Sequence, residues 1–142
     1  MTLNVLVVDD SSVMRAMIIK TLRLSRLPLG EVYEANNGEE GLQVLNENWI
    51  DLALVDINMP VMNGEKMIDR IRQNPETTDL AVIVVSTESS ETRIEMLEKK
   101  GVGFVHKPFT PETLREVIID ITGVSDEQQV GDGTLQGRGP DF

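Results

Sequence analysis

The segment LNVLVVDDSSVMR, residues 3–15, decides the fold. Its first six residues are apolar apart from one asparagine, which predicts a strand buried on both faces. Helical periodicity follows, because a set of side chains recurs at intervals of three and four residues: Met14, Met17, Ile18, Thr21 and Leu22. Ser11 and Ser12 stand before this set and can cap a helix through their hydroxyls. The segment therefore predicts a β-strand that passes directly into an α-helix.

The same pattern of strand and helix recurs four more times along the chain. Further strands are predicted at residues 31–35, 51–56, 80–86 and 102–106. Further helices are predicted from about residue 39 to 48 and at residues 64–73, 89–100 and 110–122. Gly101 can end the fourth helix in a left-handed conformation, and Thr110 and Pro111 suit the start of the fifth. Five strand–helix units are therefore predicted.

Alternating buried strands and helices indicate one parallel sheet covered by helices on both faces. Right-handed crossovers make this a doubly wound, three-layer α/β sandwich of five strands. In such a sheet, ligands bind beyond the carboxyl ends of the strands. The residues that directly follow the strands are therefore the candidates for function.

Composition excludes several classes of protein. A chain of 142 residues with 40% hydrophobic and 26% charged residues is expected to form one globular domain. With no cysteine and one histidine, thiol catalysis, disulfides and zinc sites built from thiolates or several histidines are excluded. The longest apolar run, residues 80–85, is too short to span a bilayer, and the chain does not start like a signal peptide. We expect no membrane insertion and a cytoplasmic location.

Charge argues against direct nucleic-acid binding, because the formal net charge is -11. Residues 13–26 are an exception, since this run contains basic residues and no acid: Arg15, Lys20, Arg23 and Arg26. Two interpretations of the run remain open. It is either a solvated helix face or a docking face for an acidic partner.

Charged or hydroxyl side chains follow four of the five predicted strands, whereas the uncharged NNG, residues 36–38, follows the second. Asp9 and Asp10 follow the first, Asp56 ends the third, Ser86 and Thr87 end or follow the fourth, and Lys107 follows the fifth. Each alone has an ordinary explanation as a helix cap, a turn residue or a surface lysine. In a parallel sheet, however, these side chains emerge at one edge. Their coincidence predicts a site with three carboxylates, a hydroxyl and an ammonium group.

Three neighbouring carboxylates repel one another, and a divalent cation relieves this repulsion. Oxygen ligands favour Mg2+, which commonly combines one or two carboxylates with waters and a phosphoryl group. Asp56 can then be the nucleophile that forms an aspartyl phosphate. Lys107 and Ser86 would contact the phosphoryl oxygens.

The chain strongly resembles the receiver domain of bacterial response regulators. The resemblance rests on the motifs VLVVDDS, LALVDINMPVMNG, VIVVST and FVHKPF, which occur in the family's order over residues 3–122. It implies a flavodoxin-like fold with strand order 2-1-3-4-5. It also implies phosphorylation of Asp56 by the phosphohistidine of a sensor histidine kinase or a histidine phosphotransfer protein.

By the same resemblance, Mg2+ is bound by Asp9, Asp10, Asp56 and the backbone carbonyl of Asn58. Ser86 and Phe104 resemble the family's switch pair. Lys107 corresponds to the family's lysine, and the bond to Pro108 is typically cis. The implied output surface is the face of helix 4, strand 5 and helix 5, which acts on an unknown downstream partner or output domain.

Three further residues resemble family positions that tune access to the phosphoryl group or its hydrolysis. Asn58 and Glu88 match positions that flank the path of the attacking water. Thr87 stands where the family often has alanine or glycine, so its larger side chain could narrow access to Asp56.

His106 lies two residues after Phe104 and is predicted on the same side of the strand, as a spacer or as a contact for an output partner.

The predicted domain organisation is a receiver at residues 1–122 and a flexible glycine-rich tail or linker at residues 123–142. Single-domain action is favoured over a fragment of a longer regulator with a DNA-binding or enzymatic output domain. The chain is expected to be a monomer or a phosphorylation-dependent dimer, and to catalyse only its own phosphorylation and slow dephosphorylation. A phosphatase with an aspartate nucleophile is the rival function. It would need an acid at residue 58, where the chain has Asn58.

Overall fold

The computed structural model describes residues 2–124. Its strands are β1 (Leu3–Val8), β2 (Leu29–Ala35), β3 (Leu52–Val55), β4 (Ala81–Ser86) and β5 (Gly103–His106). Its helices are α1 (Ser12–Leu24), α2 (Gly38–Glu47), α3 (Gly64–Gln73), α4 (Glu91–Glu98) and α5 (Pro111–Thr122). The five strands are parallel and form one sheet in the order β2-β1-β3-β4-β5. The predicted doubly wound fold and strand order are confirmed.

Side chains that alternate along the strands form two hydrophobic cores, one on each face of the sheet. In β1, Leu6 and Val8 join the core that includes residues of α3 and α4, while Val5 and Val7 join the core that includes residues of α1 and α5. All four side chains are fully buried. Complete burial of such a side chain contributes about 1.5–3 kcal/mol to stability. These cores hold the carboxyl ends of the strands in fixed positions.

Helix ends follow the predicted turn chemistry in detail. The Ser11 side chain accepts a hydrogen bond from the backbone of Met14, and Thr110 caps α5 in the same way, directly before Pro111. Gly101 has the expected left-handed conformation, with φ of 75°. The fourth helix is shorter than predicted, since α4 ends at residue 98 and its side-chain cap is Ser90.

One prediction about the first helix is wrong. Met17 is 57% exposed, whereas Ile18 and Leu22 are buried against the sheet. The buried stripe of α1 follows steps of four residues from Met14 and is narrower than the sequence pattern indicates. Met17 instead shares the outer face of the helix with other exposed side chains.

The predicted tail at residues 123–142 lies outside the described residues except for its first two. Gly123 caps α5 with a left-handed φ of 71°, and Val124 is 5% exposed and packs in the core beside α1 and α5. The division into a receiver and a tail therefore stays a prediction. Within residues 2–124, no helix is both long and apolar enough to cross a membrane.

Candidate functional site

The predicted carboxylates meet at the carboxyl edge of the sheet. Asp9 and Asp56 follow the neighbouring strands β1 and β3, and backbone hydrogen bonds extend the sheet to both residues. The Asp9 N–H donates to the Ala35 carbonyl at 3.1 Å, and the Asp56 N–H donates to the Val8 carbonyl at 2.9 Å. Asp9, Asp10 and Asp56, here called the acidic cluster, each place a carboxylate oxygen within 4.8 Å of the others.

Asp9 is the most enclosed member of the acidic cluster, with 2% of its surface exposed. One carboxylate oxygen, Oδ1, accepts a hydrogen bond from the Ser11 N–H at 2.9 Å. The other, Oδ2, lies 3.7 Å from the Lys107 Nζ and has no hydrogen-bond partner within the described residues. A buried carboxylate oxygen without a hydrogen bond is destabilising. This oxygen is therefore available to a further ligand.

Asp56 is half-buried, and its carboxylate is only 4.0 Å from the Lys107 Nζ at the closest approach. Burial and then repulsion by Asp9 raise the pKa of Asp56 above its ordinary value. The positive charge of Lys107 and hydrogen bonds from the backbone of Ile57 and Asn58 act in the opposite direction and lower that pKa. The balance leaves the ionised form of Asp56 less stable than in water.

The acidic cluster fits a hard divalent cation. All of its donor atoms are oxygens, one of them is buried without a hydrogen bond, and the mutual repulsion of Asp9 and Asp56 decreases when a positive charge binds between them. Oxygen donors that leave room for water and phosphate favour Mg2+ over softer metals.

The raised pKa of Asp56 predicts how stability depends on pH without metal. At a pH between the unfolded and folded pKa values, the folded protein holds a proton that the unfolded chain has released. Stability therefore increases as the pH falls through the folded pKa of Asp56. We expect Asp56→Asn to melt at a higher temperature than the parent at neutral pH in the presence of a chelator. The difference should shrink in mildly acidic buffer, and a difference that does not change with pH would contradict the raised pKa.

Lys107 and Ser86 lie where the sequence predicts them. The Lys107 backbone N–H donates to the Ser86 carbonyl at 2.8 Å, and the Lys107–Pro108 peptide bond is cis, as the resemblance implied. Among residues 2–124, Lys107 is the one lysine or arginine whose nitrogen lies within 4.0 Å of a carboxylate oxygen of the acidic cluster. Ser86 is 3% exposed, and its Oγ accepts a hydrogen bond from the Glu88 N–H at 3.0 Å.

The remaining candidate residues lie outside the acidic cluster. Phe104 is half-buried against the core on the α3 and α4 side, and its ring centroid is 6.3 Å from that of the exposed His106. The two rings share one side of β5, as predicted. Thr87 is exposed, and the Glu88 carboxylate accepts a hydrogen bond from the Ser90 N–H at 3.1 Å before α4. The backbone amide of Asn58 reaches the Asp56 carboxylate.

Arg15 was assigned by the sequence to a basic run, and the structure shows a different role. Its side chain is only 11% exposed, and Nη1 donates to the backbone carbonyl of Asp9 at 2.6 Å and to Asn36 Oδ1 at 2.8 Å. Its Nε pairs with Glu34 at 2.8 Å. Arg15 therefore ties the end of β2 to the segment that carries the acidic cluster. The other basic residues of that run are exposed, namely Lys20, Arg23 and Arg26.

Gly64 was also missed, and it supports the loop that follows Asp56. A Cβ at this position would lie 2.1 Å from the Asp56 carbonyl oxygen. The Gly64 N–H donates to the Ile57 carbonyl at 2.9 Å, while the Asn63 side chain caps α3. The dipeptide Asn63-Gly64 is the sequence signal that could have indicated this close approach.

Comparison with known proteins agrees with this geometry. The family model described as the response regulator receiver domain matches residues 5–119. The chain belongs to the response regulator receiver family. This receiver domain is 37% identical over 123 residues to a chemotaxis protein CheY homolog of Campylobacter jejuni, which covers 85% of this chain and 93% of that protein. The resemblance read from the four motifs is confirmed.

Two further relatives support the same family and fold. Chemotaxis protein CheY1 of Helicobacter pylori is 36% identical over 126 residues, which are 87% of this chain and 100% of that protein. The solved structure of the chemotaxis response regulator CheY4 of Vibrio cholerae superposes with a TM-score of 0.75 at 30% identity. That match covers 85% of this receiver domain and 99% of the CheY4 chain.

Proposed function

We propose that this receiver domain accepts a phosphoryl group on Asp56 and thereby switches its contact with an output partner. The observation that carries the proposal is the position of the Asp56 carboxylate, which lies beside Lys107 and within 4.8 Å of carboxylate oxygens of Asp9 and Asp10. A nucleophilic carboxylate needs nearby positive charge when a phosphoryl group arrives. The cluster can hold Mg2+, and Lys107 adds a fixed ammonium group.

In the proposed transfer, a carboxylate oxygen of Asp56 forms a bond to phosphorus as the phosphorus–nitrogen bond of a phosphohistidine breaks. The imidazole of the donor keeps the electron pair of that bond and takes up a proton. A bound Mg2+ would neutralise negative charge on the phosphoryl oxygens. Lys107 contributes a point charge to the same oxygens, and the hydroxyl of Ser86 is a hydrogen-bond donor for one of them.

The donor is a sensor histidine kinase or a histidine phosphotransfer protein, and the metal ligands are the acidic cluster and the backbone carbonyl of Asn58. Ser86 and Phe104 carry the signal to the face of α4, β5 and α5, where exposed His106 stands beside Phe104. Asn58, Thr87 and Glu88 tune the lifetime of the phosphoryl group. The domain performs its own phosphorylation and slow dephosphorylation and has no turnover substrate.

Output is proposed to occur through a separate protein that binds this face, as in a CheY-like regulator, with an attached output domain as the alternative. Two relatives that match over nearly their whole length, from Campylobacter jejuni and Helicobacter pylori, are named chemotaxis proteins. The role proposed for this chain is therefore chemotaxis-like signalling.

The test is incubation of the full chain with phosphoramidate and Mg2+, followed by intact mass spectrometry and peptide mapping. We expect one added phosphoryl group, on the peptide that contains Asp56. A parallel sample with excess EDTA should gain none, because the negative charge at the site then remains uncompensated. Labelling on another peptide would overturn the assignment of Asp56, and equal labelling with EDTA would overturn the role of the metal.

A further inference from the structure

A cavity of about 830 Å³ opens at the edge of the sheet opposite the acidic cluster. It is bordered by the first residues of β1 and β4, by residues 48–51 before β3, and by the connection from α3 to β4. Because the strands are parallel, this edge contains their amino ends. A strand of six residues such as β1 spans about 20 Å. The cavity is therefore separate from the site at Asp56.

Trp49, the single tryptophan of the chain, lies at this cavity and is 78% exposed. Its position is held by hydrogen bonds, because its Nε1 donates to Asp51 Oδ1 at 3.1 Å and its carbonyl accepts from Asn4 Nδ2 at 3.1 Å. Asp51 is fixed in turn by the Asn4 N–H, which donates to Oδ2 at 2.8 Å. A large aromatic ring is therefore presented to solvent in a defined orientation.

The charged residues that line the cavity are all acidic: Glu47, Asp51, Glu76 and Asp79. Among residues 2–124, none of them forms an ion pair within 4.0 Å. Arg72 interacts electrostatically with Asp79, but its guanidinium donates hydrogen bonds to the carbonyls of Leu80 and Lys100. The rim of the cavity thus combines four carboxylates that form no ion pair within 4.0 Å among residues 2–124 with an exposed indole.

We propose that this cavity, the Trp49 cavity, is the docking site for a basic segment of a partner protein. An arginine of that segment stacks on the indole of Trp49, which is the most favourable aromatic ring for a cation. Its aliphatic part contacts the apolar lining, which includes Leu45, Ile50 and Leu80. Neighbouring basic side chains of the segment approach Glu76 and Asp79.

The charge of the cavity favours a basic segment over a second copy of the chain and over nucleic acid. A second copy of the chain has a net charge of -11, so the two copies repel each other at long range. Nucleic acid is disfavoured because its phosphates would face four carboxylates. A basic segment gains from the same field, which attracts it toward the cavity before contact. Docking here also leaves the opposite edge open, so the partner can remain bound while Asp56 exchanges its phosphoryl group.

The test uses hexa-arginine amide as the probe and the full chain labelled with nitrogen-15, at physiological ionic strength with saturating Mg2+. The single tryptophan gives a single indole N–H signal, and we expect the peptide to shift that signal in a saturable manner. Trp49→Ala lacks the indole signal, so its binding is followed by backbone amide signals. We expect this variant to bind the peptide roughly fivefold more weakly than the parent. Glu76→Gln combined with Asp79→Asn should weaken it roughly tenfold, since two of the four facing charges are lost.

The matched control is Glu91→Gln combined with Glu112→Gln, two exposed acids in the first turns of α4 and α5. These helices begin at the carboxyl edge of the sheet, opposite the Trp49 cavity. The pair changes the net charge by the same amount and should alter affinity less than about twofold, because exposed charges farther than a Debye length are screened. Equal weakening by both double variants would overturn the proposal in favour of nonspecific attraction. Identical shifts and affinity with spermidine would overturn it in favour of a small-cation site, and concentration-dependent indole shifts without peptide would indicate a second copy.

This proposal does not depend on the phosphoacceptor function. Asp56→Asn should bind hexa-arginine amide with the affinity of the parent, because Asp56 lies at the other edge of the sheet. The two proposals can therefore fail separately.

Discussion

Asp56→Asn is expected to take up no detectable phosphoryl group from phosphoramidate, although it folds like the parent protein. A neutral amide lacks the carboxylate oxygen that attacks phosphorus. Asparagine has nearly the same shape as aspartate, and its side-chain oxygen can still accept the hydrogen bonds that the backbone of Ile57 and Asn58 donates to Asp56. The substitution therefore removes the nucleophile and preserves the local structure.

The matched control for this variant is Asp120→Asn, which removes one carboxylate from an exposed position on α5. We expect it to be phosphorylated at the rate of the parent. Thermal melting of both variants separates loss of the acceptor from loss of the fold. If folded Asp56→Asn takes up a phosphoryl group at the parent rate, the acceptor is a carboxylate other than Asp56. Asp9 and Asp10 would then be the first residues to test.

The sequence alone could predict the acidic cluster because β-sheet geometry carries the argument. Asp9 and Asp56 each follow a run of buried apolar residues, and in a parallel sheet such runs end at one edge. The same reasoning placed Lys107 and Ser86. These predictions need only the direction of the strands and the order in which they pair, and neither depends on side-chain detail.

Arg15 and Gly64 could not be predicted in this way, because their roles depend on contacts between residues that are distant in the sequence or on sub-ångström fit. Whether a basic residue on a helix faces water or the sheet edge depends on the rotation of α1 about its axis. The same rotation exposes Met17 and turns Arg15 toward the Asp9 carbonyl. A periodic pattern determines that rotation only to within about one residue.

The carboxylates that the proposed function needs repel one another in the acidic cluster when no metal is bound. Burial and Asp9 both raise the pKa of Asp56, so the metal-free folded state holds repelling charges that the unfolded chain separates. A cation between the carboxylates turns this repulsion into binding free energy for the metal. Stability without metal and affinity for metal should therefore change in opposite directions when one acid of the cluster is neutralised.

Gly64→Ala is expected to destabilise the fold by about 3 kcal/mol and to lower the melting temperature by roughly 10 °C or more. The new Cβ would lie 2.1 Å from the carbonyl oxygen and 2.9 Å from the carbonyl carbon of Asp56. Both atoms belong to the backbone at the end of β3, so no side-chain rotation can relieve the contact. The gain in helix propensity from alanine is at most the interior value of about 1 kcal/mol, because Gly64 is the first residue of α3, and the clash outweighs that gain.

Gly41→Ala is the matched control, since Gly41 is also a buried glycine in a helix. Its added Cβ would lie 2.6 Å from Cε of Met67, the end of a flexible side chain that can move aside. We expect a loss of less than about 1 kcal/mol, because repacking of Met67 and the gain in helix propensity offset each other. Chemical denaturation of both variants provides the comparison.

The Gly64→Ala variant should also be phosphorylated more slowly at temperatures far below its melting point. Relief of the clash must move either α3 or the backbone of Asp56, and Gly64 is hydrogen-bonded to Ile57 in the same loop. A movement of the Asp56 backbone changes the distance between its carboxylate and Lys107, because the two residues do not share a strand. If Gly64→Ala instead matches Gly41→Ala in both stability and phosphorylation rate, the loop after β3 can relax freely, and Gly64 does not fix the position of Asp56.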